Sequence, residues 1–135
     1  VSRDTWNAVI ADLGAEILVV GGKSMGGRIS SMVADEAQVR GVVCLGYPFH
    51  PPGKPEKLRT EHLIELKTPA LFCQGERDPF GTKDEVSDFG ISKNIKLHWA
   101  PDGDHSLKPR KKSGFTEQQN ITDTVDAICK FMDAL

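Results

Sequence analysis

No stretch of this 135-residue chain approaches the roughly 20 consecutive apolar residues that a membrane-spanning helix needs. No signal-peptide pattern opens it either, so no membrane partner is expected and the cytoplasm is the default compartment. Charge of one sign is also lacking. Seventeen Lys and Arg oppose 19 Asp and Glu for a net charge of −2, which leaves no electrostatic footprint for nucleic acid. The basic cluster Lys108, Arg110, Lys111 and Lys112 has no interleaved aromatic and reads as a solvated loop. Cysteine is scarce. Cys44 and Cys73 fall in apolar strand-like runs and Cys129 in a helical one, so all three read as small buried residues in a reduced compartment. No Cys and His spacing suggests a zinc site. The length fits a single domain, residues 1–135, that can bury a core but is small for an α/β enzyme.

What is present is glycine, placed with purpose. Gly22-Lys23-Ser24-Met25-Gly26 matches G-x-S-x-G directly after the apolar run Ile17-Leu18-Val19-Val20. In that setting the motif reads as a nucleophile elbow, a sharp strand-to-helix turn with the serine at its tip. Glycines two residues to either side are expected to avoid collisions with the neighbouring strand or helix. Met25 then falls at the helix start, where its backbone N–H is free to face a developing oxyanion. A phosphate loop is excluded, because G-x-x-x-x-G-K-[ST] would need glycine at position 17, which is Ile17.

Elements alternate along the chain. Trp6, Val9, Ile10 and Leu13 recur at helical spacing before Gly14. The pattern then predicts a strand over 15–20, a helix over 25–37 and a strand at Val42-Val43-Cys44-Leu45. A proline-rich loop, 50–55, leads to a short helix around 56–66 and a strand at Ala70-Leu71-Phe72-Cys73. A short amphipathic piece around 82–89 precedes a strand at Ile95–Trp99. Thr116 and Gln119 form a capping-box pair, opening a helix with Ile121, Val125, Ile128, Met132 and Leu135 on one face. Strands alternating with helices mean right-handed crossovers and a parallel sheet, with active residues just past the carboxyl ends of the strands.

That rule sorts the candidates. Ser24 follows the first strand, Asp78 the third and His105 the fourth. A serine hydroxyl needs an imidazole to take its proton, and the imidazole needs a carboxylate to fix its tautomer. Rivals exist for two of the three roles. His50 follows the second strand and competes as base, His98 lies within a strand, and His62 sits on a polar helix and reads as solvated. Asp104 is the rival acid, but it adjoins His105 and reaches that ring poorly; Asp78 could alternatively serve as a turn or helix cap before Pro79. Asp102 and Asp104 mimic a metal pair, yet one short loop supplies too few ligands for calcium.

Four motifs in order give a resemblance over essentially the whole chain: 21–28 (GGKSMGGR), 46–55 (GYPFHPPGKP), 74–78 (QGERD) and 103–109 (GDHSLKP). Together they resemble small α/β-hydrolases grouped near the dienelactone hydrolases. The resemblance implies an α/β fold, a minimal or truncated α/β-hydrolase with about four parallel strands flanked by helices. It implies Ser24 as nucleophile, Asp78 as acid and His105 as base. A serine hydrolase of small esters or lactones is expected, and triad chemistry calls for no cofactor or metal. Related eukaryotic proteins include a subunit of a histone-acetyltransferase complex, so a catalytically weak interaction module is the alternative reading. Members carry several strands before the elbow, and a loop after an early one supplies a second oxyanion donor. Only 23 residues precede Ser24 and the chain starts at Val1, so a fragment, a processed product or a minimal member is expected. Met25 N–H is then left as the one oxyanion donor. The elbow strand is expected to present an open edge through which the chain self-associates, by strand pairing or by packing of first helices about a two-fold axis.

Overall fold

Alternation along Val42–Leu45 decides the architecture, because successive side chains of a strand point to opposite faces. Val42 and Cys44 join a core with Val20, Val33 and Phe72, whereas Val43 and Leu45 pack with Leu71, Cys73 and Phe131. The strand is therefore covered on both sides, as a parallel sheet requires. The computed structural model describes residues 2–135. The elements run α1 (Arg3–Leu13), β1 (Val19–Lys23), α2 (Met25–Ala37), β2 (Gly41–Leu45), α3 (Glu61–Ile64), β3 (Ala70–Gly75), α4 (Lys83–Val86), β4 (Ile95–Ala100) and α5 (Glu117–Asp133). All strand pairs are parallel and the sheet order is β1-β2-β3-β4. Helices α1 and α2 serve the first core; Phe131 and Ile128 of α5 cover the opposite face.

Several elements differ from the sequence reading. Residues Ala15–Ile17 form a turn of 3₁₀ helix, and β1 begins at Val19 and runs on to Lys23. Ile17 is 70 % exposed and only Val20 of the apolar run is buried, so the run is not a strand enclosed on both faces. The helix expected over 56–66 contracts to Glu61–Ile64, and the piece over 82–89 to Lys83–Val86. The reciprocal capping box belongs to Thr82 and Glu85. Thr116 accepts from Gln119 N, but the Gln119 side chain turns away to Asp123. On α5 the buried residues are Asn120, Thr124 and Phe131, while Ile121, Val125 and Met132 lie exposed. Their apolar stripe overhangs the groove beside β1, where the sheet stops. Cys129 is likewise exposed, whereas Cys44 and Cys73 are buried.

The loop after β2 is anchored by aromatics. Tyr47 stacks on Phe72 with centroids 4.8 Å apart and a 6° tilt, and Phe49 packs on Tyr47 at 4.7 Å. All three rings are fully buried. Burying side chains of this size contributes roughly 1.5–3 kcal/mol each, which holds an otherwise irregular loop against the sheet. Among the described residues β1 has no strand neighbour on its outer side, and no described helix is long and apolar enough to cross a membrane.

Candidate active site

The elbow is built by backbone strain and close packing. Ser24 has φ 53° and ψ −116°, a conformation that L-residues avoid, and its N–H donates to Leu45 O at 2.9 Å. A Cβ on Gly22 would lie 2.8 Å from the Gly26 carbonyl carbon, and one on Gly27 would lie 2.7 Å from Gly22 O and collide with Cys44 Sγ. Gly26 itself has open space, so the close packing falls on Gly22 of the motif and on Gly27 just outside it. Met25 opens α2, and as the first helical residue its N–H has no intrahelical acceptor.

Ser24, Asp78 and His105 come together as their strand-end positions predicted. His105 Nδ1 lies 2.8 Å from Asp78 Oδ2, and His105 Nε2 lies 3.0 Å from Ser24 Oγ. An ionised carboxylate only accepts, so Nδ1 carries the proton and Nε2 is left to accept from the serine hydroxyl. Asp78 is fully buried; its Oδ1 accepts from Phe80 N at 2.8 Å and its Oδ2 also accepts from Gln74 Nε2 at 3.1 Å. The Phe80 ring lies against His105 with centroids 4.2 Å apart, flanking the imidazole.

The rivals are occupied elsewhere. His50 is buried with Nδ1 2.8 Å from Pro51 O and Nε2 2.8 Å from Glu85 Oε2, so neither nitrogen is free for Ser24. Burial alone would raise the Glu85 pKa, but donors from Thr82 and His50 outweigh it and lower the pKa. Asp104 Oδ1 accepts from Ser106 N at 2.8 Å and Lys108 N at 3.0 Å, which closes the turn carrying His105. Asp102 pairs with Arg110 at 2.6 Å and with Arg77 at 3.1 Å. The hydrogen bond from Arg110 holds its carboxyl well below the usual carboxylate range. His62 is half-buried rather than solvated, 2.8 Å from Ser31 Oγ.

Residues to which the sequence reading gave no role lock the acid and base loops together. Gln74 is fully buried: Oε1 accepts from Tyr47 N at 2.8 Å, and Nε2 faces Tyr47 O, Gly81 O and Asp78. Glu76 Oε1 accepts from Asp102 N at 2.9 Å, and Arg77 Nε donates to Asp102 O at 2.9 Å. Asn120 of α5 donates to Pro101 O and Leu107 O at 3.0 and 2.9 Å, fixing both ends of the His105 loop. Gly46, at φ +69°, lies so near His105 that a Cβ would stand 3.2 Å from its ring. Gln74, Glu76 and Arg77 fall in the 74–78 motif and Gly46 in the 46–55 motif, but the sequence assigned none of them a role.

A parallel sheet with a strained serine elbow, and an aspartate and histidine at successive strand ends, defines an α/β protein of hydrolase architecture. Residues 2–133 match the family described as alpha/beta hydrolase domain, and the chain belongs to that family. Solved structures agree in fold. A serine hydrolase homologue from Coxiella burnetii has a TM-score of 0.60 and 20 % identity, covering 78 % of this chain and 49 % of that one. The esterase domain of a Rhodothermus marinus protein gives 0.59 and 14 %, covering 79 % and 61 %. The monoacylglycerol lipase of Paleococcus ferrophilus gives 0.68 and 12 %, covering 96 % and 73 %. The chain thus spans about half the length of the Coxiella protein it matches.

Proposed function

We propose that the protein is a serine hydrolase of small carboxylic ester or lactone bonds, with a dienelactone-hydrolase-like site. The observation that carries this reading is the continuous hydrogen-bonded path from Ser24 Oγ through His105 to Asp78. Ester-cleaving names among the structural neighbours are consistent with it. Ser24 Oγ bonds to the carbonyl carbon as its proton passes to His105 Nε2. The oxyanion faces Met25 N–H, and Asp78 holds the imidazolium that forms. The carbon–oxygen bond to the alcohol then breaks, and the alcohol leaves with the proton from Nε2; in a lactone it stays tethered. Water adds to the acyl-enzyme, yields its proton to Nε2, and release of the acid returns that proton to Ser24.

Labelling with a fluorophosphonate, followed by peptide mass spectrometry, tests the reading. Modification of Ser24 that disappears in Ser24→Ala and is strongly reduced in His105→Ala is the expected result. A protein that stays unlabelled, or is labelled elsewhere, refutes the reading.

A further inference from the structure

The residue before the nucleophile is hydrogen-bonded to the residue after the base. Lys23 Nζ donates to Ser106 Oγ at 3.1 Å, across 83 positions of chain. Strand alternation sets this up. Val20 of β1 points into the core with α1 and α2, so Lys23, three residues on, points to the α5 face beside its register partner Leu45. Its stem lines an apolar hollow of about 200 Å³ with Leu45, Ile128 and His105, while its ammonium stays exposed. Among the described residues no ion pair includes Lys23, and Ser106 Oγ is its one hydrogen-bond acceptor.

Ser106 is fixed within a tight turn. Its N–H donates to Asp104 Oδ1 at 2.8 Å, Leu107 N–H donates to Asp104 O at 3.0 Å, and Asp104 N–H to Lys108 O at 3.0 Å. Ser106 therefore does not shift without carrying His105 with it.

The other anchors of this loop lie away from the serine. Arg77 N–H donates to Gly103 O at 2.9 Å, Glu76 receives Asp102 N–H, and Asn120 holds Pro101 O and Leu107 O. Toward the elbow the loop 101–108 makes two hydrogen bonds among the described residues, Lys23 to Ser106 and Ser24 to His105. The second is consumed by the chemistry. Once Ser24 Oγ has given its proton to His105 Nε2 and bonded to the acyl carbon, it has no proton left to donate. The bond between Lys23 and Ser106 then alone joins elbow and loop. Placement matters at this stage, because a shift of about 1 Å costs about 10²-fold in rate.

We propose that Lys23 and Ser106 are positioning residues, whose hydrogen bond clasps the elbow to the base loop and keeps His105 in register with Ser24 while the acyl group is in place. Its effect on turnover rests on the hydrolase reading above; the clasp itself does not.

Lys23→Met keeps the stem and removes the donor, and Ser106→Ala removes the acceptor. The bond is exposed and adds little to stability, so both variants are expected to melt within about 3 °C of the parent protein. With p-nitrophenyl acetate, kcat is expected to fall about tenfold in each and no further in the double variant, because the two side chains act as one unit. The value of kcat/KM and the rate of fluorophosphonate labelling, which read attack by the free enzyme, are expected to stay within about threefold. Lys23→Arg, which keeps a donor, is expected to recover most of kcat. Unchanged kcat in either single variant, multiplying losses in the double variant, or a fall in kcat/KM equal to that in kcat overturns the clasp. Where the parent turns over no ester, ¹⁵N relaxation on Ser24→Ala protein decides, since that variant lacks the serine–histidine bond as the acyl-enzyme does. Amide order parameters at His105 and Ser106 are expected at about 0.85, dropping toward about 0.6 when Lys23→Met is added. Unchanged values overturn the clasp. A drop in a protein that fluorophosphonate does not label refutes the hydrolase reading and upholds the clasp.

Discussion

Gln74 donates through Nε2 to Asp78 Oδ2 at 3.1 Å, the same oxygen that receives His105 Nδ1. The acid of the site is thereby steered by a strand residue as well as by Phe80 N–H of its own loop. Gln74→Leu keeps the bulk but leaves Tyr47 N–H and Gly81 O without a partner, while Tyr47 O retains only Phe49 N–H. Unpaired buried groups cost about 1–3 kcal/mol each, so a loss of about 2 kcal/mol or more is expected in urea unfolding. Ester hydrolysis, measured separately at saturating substrate, is expected to fall at least tenfold.

Strain at the elbow predicts opposite responses of stability and activity. Ser24 holds φ 53°, which glycine adopts readily, so Ser24→Gly is expected to melt no lower than the parent protein and to lose all ester hydrolysis. A clearly lower melting temperature would show that the turn is not strained in solution.

Gly46→Ala would set a methyl group 2.9 Å from His105 O and 3.2 Å from the imidazole, at φ +69°. The histidine must then leave its place between Ser24 and Asp78. Fluorophosphonate labelling is expected to slow at least tenfold, and full-rate labelling would show that the loop yields without moving the ring.

Acid sensitivity is expected from His62. Burial, together with Arg28 and Arg3, lowers its pKa below 6.5, against the weaker opposing pull of Asp35 and Glu61. On acidification the unfolded chain therefore takes up this proton first. Stability is complete above pH 6.5 and declines as the pH falls toward the folded-state pKa. Asp35 and Glu85, with lowered pKa values, act in the same direction at more acidic pH. The measurement is the melting difference between the parent protein and His62→Gln, which is expected to narrow between pH 7.5 and 5.5.

The outer edge of β1 is proposed to pair with a second copy. Exposed Val9 and Leu13 flank it on one face, and Val125 and Met132 on the other. A two-fold axis would let one strand pairing cover both grooves. Light scattering after size exclusion at micromolar concentration is expected to give twice 14.8 kDa, and a stable monomer would refute the pairing.

The parallel sheet and the convergence of Ser24, Asp78 and His105 were legible because both follow from strand order and the rule of carboxyl ends. Boundaries were less so. Ile17 belongs to a 3₁₀ turn because the elbow draws β1 forward to Lys23, and local hydrophobicity does not register that pull. The α5 face was misjudged for a related reason. Its sequence carries an apolar stripe, but the helix is oriented by Asn120 clasping the His105 loop and by Phe131 on the sheet. Gln74 and Gly46 act through contacts made across 27 and 59 positions of chain, which no local pattern reveals.

Because sheet order repeats chain order, the ribosome lays down this domain from one side to the other. Each emerging strand adds to the edge that its predecessor has just formed, and β1 is never passed over. Ser24 is synthesised first and waits 81 residues for His105. The histidine loop is clasped only when Asn120 has followed it out. In a nascent chain the elbow therefore stands without an imidazole beside it until the residues through Asn120 have been made.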